Sequence, residues 1–166
     1  MTEFNSQTGQ DKFVLEILKN KKNGYFLEIG SNEPIYINNT YILEKSYEWK
    51  GIMVEFLRKW ENEYKKIRPN SIHVINDATQ INYKKLFEEN NVPLNLDYLQ
   101  IDLEEYNGST LRTLMKIDNE LLDKYKFATV TFEHDIYNWN KYNTREVSRQ
   151  IFEKRGYCRV FSDINN

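Results

Sequence analysis

The chain has 166 residues, 40% hydrophobic and 29% charged, with a formal net charge of -2. That length suits one domain with a single sizeable core, and the composition excludes a disordered or membrane-embedded chain. Both signs of charge are mixed along the sequence without a basic block to track a phosphate backbone, so nucleic acid is not an expected partner. The single cysteine, Cys158, excludes an internal disulfide framework and a cysteine-based zinc site, and it fits a reducing, cytoplasmic location. Met1 to Gln10 is polar, so neither a signal peptide nor a membrane span is expected.

In chain order, the spacing of Phe13, Val14, Ile17 and Leu18 predicts a helix within an N-terminal segment over 1–20. A β-prone run follows at Tyr25 to Ile29. Helical spacing resumes at Tyr41, Ile42 and Leu43, and a strand is predicted from Gly51 to Phe56. Trp60, Tyr64 and Ile67 mark the next helix, and Ser71 to Ile75 the next strand. Leu86 and Phe87, then Tyr98 to Ile101, give another pair. Leu111, Leu114 and Met115 precede a strand from Phe127 to Phe132, and Val147, Ile151 and Phe152 precede a sixth from Tyr157 to Phe161. No internal repeat or linker breaks the pattern, so one domain over 1–166 is expected, with its α/β core over 24–164. Alternating strands and helices argue for parallel pairing, and strands apolar along most of their length argue for helices on both faces. The expected fold is a doubly wound, mostly parallel, Rossmann-like α/β sheet.

Ligands of such sheets bind beyond the carboxyl ends of the strands. The first end is Glu28-Ile29-Gly30-Ser31-Asn32, where the glycine permits a sharp turn and close backbone approach. The same glycine also suits a plain strand exit. A G-x-G-x-x-G cradle is absent, which disfavours a pyrophosphate and with it a dinucleotide or nucleotide-sugar enzyme. Glu55, 25 residues beyond Gly30, ends the second strand and is placed to accept from both ribose hydroxyls; otherwise it is a solvated acid. Phe56 offers a face to a purine. Asp77, with Ala78 after it, offers an acceptor to an exocyclic amine, or else starts a turn. These parts suit an adenosine without phosphates, as in S-adenosylmethionine. Ser31, Asn32, Asn39 and Thr40 are the polar groups available to its amino acid portion, although Asn and Thr also serve as helix caps.

The fourth and fifth strand ends carry Asp102-Leu103-Glu104 and Glu133-His134-Asp135. His134 has a suitable intrinsic pKa for a general base, with Asp102 and Glu104 as alternatives. His73 lies inside a strand and reads as structural. A divalent ion between Asp102 and Glu133 is a further option, since hard cations favour clustered carboxylates.

Several segments together resemble the FkbM-type methyltransferases, from about Ser6 to Ile164. Ser6-Gln7-Thr8-Gly9-Gln10-Asp11 is similar to the entry of one branch, and Asn23-Gly24-Tyr25-Phe26-Leu27-Glu28-Ile29-Gly30 to its first-strand motif, with Pro34 and Asn39-Thr40-Tyr41 following. Trp49-Lys50-Gly51-Ile52 matches the lead into strand two. Asp97-Tyr98-Leu99-Gln100-Ile101-Asp102-Leu103-Glu104 resembles the family's Asp-x-Leu-Lys-Ile-Asp-Val-Glu-Gly block, and Glu133-His134 its Glu-x-His region, one residue tighter. Glu105 stands where the family has glycine.

The resemblance implies a class I fold, S-adenosylmethionine as cofactor, and O-methylation of a small-molecule or glycan acceptor, with a sugar hydroxyl as the expected site. Glu28, Gly30 and Asp102 lie in the matching motifs, and with Glu55 they are expected to contact the cofactor. Class I enzymes add a seventh, antiparallel strand, and the sequence reaches Asn166 soon after the expected sixth, so a sheet without that last strand is expected. A nucleotide or nucleotide-sugar-binding α/β enzyme and a non-catalytic module that binds cofactor or glycan are the remaining alternatives.

Overall fold

Five apolar runs pair side by side, the central three buried on both faces. They are β1 (Tyr25–Ile29), β2 (Lys50–Glu55), β3 (Ile72–Ile75), β4 (Asn95–Ile101) and β5 (Lys126–Phe132). In this computed structural model, which describes residues 4–136 and 141–161, they form one sheet of order β3-β2-β1-β4-β5. Every pairing is parallel, with Leu27 opposite Ile52 on one side of β1 and opposite Leu99 on the other. The chain builds outward from β1 to β3, then returns to place β4 against the other side of β1. The point where strand order reverses therefore falls between β1 and β4.

Alternation along the strands sends side chains to two separate cores. Phe26, Met53 and Tyr98 point to one face, packing with Val14 and Leu15 of α1 (Gln10–Ile17), Ile42 and Leu43 of α2 (Tyr41–Tyr47), and Tyr64 of α3 (Glu61–Ile67). Leu27, Ile29, Val54, Leu99 and Ile101 point to the other. There they meet Phe87 of α4 (Tyr83–Glu89), Leu114 and Ile117 of α5 (Ser109–Glu120), and Ile151 and Phe152 of α6 (Thr144–Lys154). Among the described residues, no helix is long and apolar enough to cross a membrane.

One expected strand does not form. Tyr157 to Phe161 is irregular, with Val160 and Phe161 about 60% exposed. This segment passes outside β5 and meets its surroundings through side chains: the Tyr157 hydroxyl accepts from Phe127 N at 3.2 Å, and the Phe161 ring stands edge-on to Phe13 at 5.8 Å. A strand needs a ladder for its alternating backbone groups, and the described sheet ends at β5 without pairing to this segment. The antiparallel strand is likewise absent from the described sheet, and residues 162–164 of the expected core lie outside the described residues.

Candidate cofactor and acceptor site

The turn after β1 is fixed by its neighbours. Gly30 has φ +84°, and a Cβ built there would run into the Asp102 carbonyl oxygen, so only glycine lets β1 and β4 approach this closely at the switch point. Gly30 N and Ser31 N both donate to Val54 O, at 3.0 and 3.1 Å. Asn32 follows in the left-handed region at φ +49° and turns its N–H toward β2.

Glu55 receives that turn. Its Oε2 accepts from Asn32 N and its Oε1 from Leu57 N, each at 2.7 Å. Each carboxylate oxygen keeps a second acceptor position for a ligand. Phe56, the next residue, is 70% exposed and makes its ring available for stacking. Asp77 caps the 3-10 turn Ala78–Gln80 through Oδ1, which accepts from Thr79 N at 2.8 Å and Thr79 Oγ1 at 2.7 Å. The turn chemistry open to Asp77 from sequence is therefore realised, with Oδ2 left over. Ala78 is buried beneath it.

The loop's polar groups divide into two layers. Ser31 and Thr40 are buried and bonded within the chain: Ser31 Oγ donates to Val54 O at 3.3 Å, and Thr40 Oγ1 donates to Glu28 Oε2 at 2.8 Å. Beneath them Arg68, wholly buried, donates to Glu44 Oε2 at 2.9 Å, to Asn38 Oδ1 at 2.9 Å and to Thr40 Oγ1 at 2.7 Å. Tyr64 ties the same loop from outside by donating to Asn32 O. Sequence reading missed Arg68 and Tyr64, because a basic residue just past a helix and a tyrosine on an apolar helix face carry no distinguishing pattern.

Two buried acceptors in this region have no partner, Glu28 Oε1 and Asn39 Oδ1. Burial pushes the Glu28 carboxyl up to about 7 against the opposing pull of Arg68 and of the Thr40 and Asn38 hydrogen bonds. Orphaned acceptors facing a cation or N–H donor are what the amino acid end of S-adenosylmethionine requires. With the free positions on Glu55 and the Phe56 ring, the residues present fit that cofactor.

On the other side of the switch point, Asp102 N donates to Ile29 O at 2.9 Å. Burial, then the charges of Glu133, Glu28 and Glu104, push its carboxyl up to about 7. Glu133 Oε1 accepts from Asp135 N at 3.0 Å, and His134 Nδ1 accepts from Ile136 N at 3.3 Å. In the neutral imidazole that bond assigns the ring proton to Nε2. Glu104 is exposed. Glu105 is buried, with Thr144 Oγ1 donating to one oxygen and the other unpartnered, so it ties the β4 loop to the start of α6. Among the described residues no three His, Cys, Asp or Glu side chains gather as a metal site. His73 accepts a structural role, its Nε2 bonded with Arg68 O at 2.9 Å.

Next to this corner, a cavity of about 310 Å³ runs along the free side of β5 between α1 and α6, with Glu133 and His134 at its end.

A parallel sheet of this order, with its polar strand ends gathered around the switch point, is a Rossmann-like methyltransferase fold. Within that class, the chain is similar to the crystal structure of a TehB-like SAM-dependent methyltransferase from Corynebacterium glutamicum. The two share 13% identity over 89% of this chain and 73% of that one, with a TM-score of 0.58. No family model matches the sequence, and no curated protein matches it.

Proposed function

We propose that the chain is an S-adenosylmethionine-dependent O-methyltransferase acting on a sugar or glycan hydroxyl. The observation that carries this reading is the Glu55 carboxylate. It is anchored by two backbone amides with an acceptor position left on each oxygen, beside an exposed Phe56 ring and without a phosphate cradle. In this reading Glu55 holds the ribose hydroxyls, Phe56 covers the purine, and Asp77 Oδ2 with the Ala78 turn receives its amine edge. Glu28 and Asn39 face the amino acid end.

The cofactor supplies a methyl group on a positively charged sulfur. That methyl would pass to the acceptor oxygen with the carbon–sulfur electron pair left on sulfur, and a residue of this chain would take the hydroxyl proton. Asp102 fits the base better than His134. Its carboxyl is raised to about 7, near the optimum for proton transfer at neutral pH, whereas the His134 Nδ1 lone pair is occupied by Ile136 N–H. Positioning supplies most of the acceleration in a direct displacement.

The test is calorimetric titration with S-adenosylhomocysteine, and with NAD and a uridine diphosphate sugar as rivals. Binding of S-adenosylhomocysteine alone is expected. Phe56→Ala, which removes only an exposed ring, weakens it about tenfold, in line with the ~1–3 kcal/mol found for a stacked base. Glu55→Ala abolishes it. No binding to the folded wild type, or full retention in Glu55→Ala, defeats the reading.

A further inference from the structure

None of Glu28, Glu55, Phe56 and Asp77 lines the cavity beside β5, and it is built unlike an ordinary packing defect. Its inner wall is β5 with Gln100 of β4, its sides are the first turn of α1 and the face of α6, and Tyr157 to Phe161 cross its mouth. Aromatic rings surround it: Phe161 meets Phe13 edge-on at 5.8 Å, and Phe152 meets Phe132 at 5.9 Å and Tyr157 at 5.7 Å.

Polar groups sit between the rings. Gln100 is 1% exposed, and its Oε1 accepts from the Tyr98 hydroxyl at 2.9 Å and from the Thr131 hydroxyl. Its side-chain amide is thereby held in place on the cavity wall. The charges along the wall balance, with Glu133 and Glu153 against Arg149 and Arg159, and Glu153 is already paired with Arg159 at 2.9 Å. Apolar rings interleaved with amide, hydroxyl and carboxylate groups are the complement of an uncharged polyol ring, which has C–H faces and a rim of hydroxyls. At about 310 Å³ the space lies at the small end of the ~300–1,000 Å³ typical of ligand sites, the size for one ring rather than an oligosaccharide.

We infer that this cavity takes a single uncharged sugar ring and serves as the acceptor subsite, the second part resting on the methyl-transfer reading above. Glu133 and His134 close the end of the cavity and adjoin Asp102, whose carboxyl feels the Glu133 charge. A ring seated against Phe13 and Phe152 would offer one hydroxyl at that end. Gln100 and Thr131 act here as specificity-determining groups for the remaining hydroxyls.

The test uses the full chain, labelled with nitrogen-15, titrated with the methyl glycosides of glucose, galactose, mannose and rhamnose, with and without S-adenosylhomocysteine. At least one glycoside is expected to shift the Gln100 side-chain amide and the Thr131 and His134 resonances in a saturable way. Ala128→Trp places an indole in the cavity from an exposed position on β5, and Ala128→Leu is the milder filler. Either weakens the sugar at least tenfold while S-adenosylhomocysteine still shifts Gly30 and Phe56 as in the wild type. The inference falls if no glycoside shifts these residues, if the fillers leave the shifts unchanged, or if indole or decanoate moves them and the sugars do not. Sugar binding without S-adenosylhomocysteine binding would sink the cofactor reading and leave the cavity assignment standing.

Discussion

Glu28→Gln isolates the energetic consequence of placing a carboxyl at the heart of the sheet. Glu28 is wholly buried, and its carboxyl titrates near 7 instead of the ordinary 4.5. Between those two pH values the unfolded chain has lost the proton and the folded chain retains it, so stability falls as pH rises through this window and levels off above it. At ~1.4 kcal/mol for each pH unit, the window is worth about 3 kcal/mol. Glutamine has the shape of the protonated acid: its oxygen accepts from Thr40 Oγ1 where Glu28 Oε2 does, and its amide occupies the place of the unpartnered Oε1. The variant is therefore expected to match the wild type near pH 5 and to exceed it by about 3 kcal/mol at pH 8. Asp102, also raised to about 7, contributes a slope of its own that the variant retains below neutrality. Urea unfolding at steps across this range measures the difference directly. Curves for the two proteins that stay parallel from pH 5 to 8 would refute the reasoning, because Glu28 would then ionise alike in both states.

Two further substitutions probe the frame around the site. Gly30→Ala combines a left-handed backbone with a Cβ directed at the Asp102 carbonyl oxygen, so a loss of more than about 2 kcal/mol is expected by urea unfolding. A smaller loss would mean that β1 and β4 can separate there at little cost. Arg68→Met strands the buried Glu44 carboxylate, and removal of one member of a buried pair costs about 3–5 kcal/mol. Adding Glu44→Gln in the same chain is expected to recover part of that loss, and no recovery would show that the pair's charges are not what the loop depends on.

Most of the sheet was legible because its signals are local. Tyr25 to Ile29 is apolar at four of five positions, and its strand has the expected bounds; the other four strands differ by a few residues at their ends. Gly30 was legible as a required glycine, but not the reason for it. Its constraint comes from Asp102, 72 positions away in sequence, at a contact that exists only once β4 returns to β1. Tyr157 to Phe161 shows the opposite failure: the segment has strand composition, and pairing depends on a neighbour that composition cannot supply. Ser31 and Thr40 were expected around a ligand on residue type alone, and the structure turns both into the chain. Their hydroxyls were needed nearer by, at Val54 O and Glu28.

The same geometry divides the site into halves of unequal rigidity. On the β2 side, the loop is held from beneath by buried side chains, with Arg68 reaching Thr40, Asn38 and Glu44 at once. A small invariant ligand is best served by such a frame, because little conformational freedom remains to be lost on binding. On the β5 side the described sheet ends, and the wall is made of side chains meeting ring to ring, with Glu105 tying the β4 loop to α6 through Thr144. Where the resembling family has glycine, this chain spends a buried carboxylate on that tie. Gly30 against Asp102 is the line between the halves: the β2 side is fixed by hydrogen bonds to one neighbour of β1, and the β5 side is shaped by packing beyond the other. On the proposed methyl-transfer reading, variation in the acceptor accumulates along α1, α6 and the Tyr157 segment without disturbing the frame around Glu55.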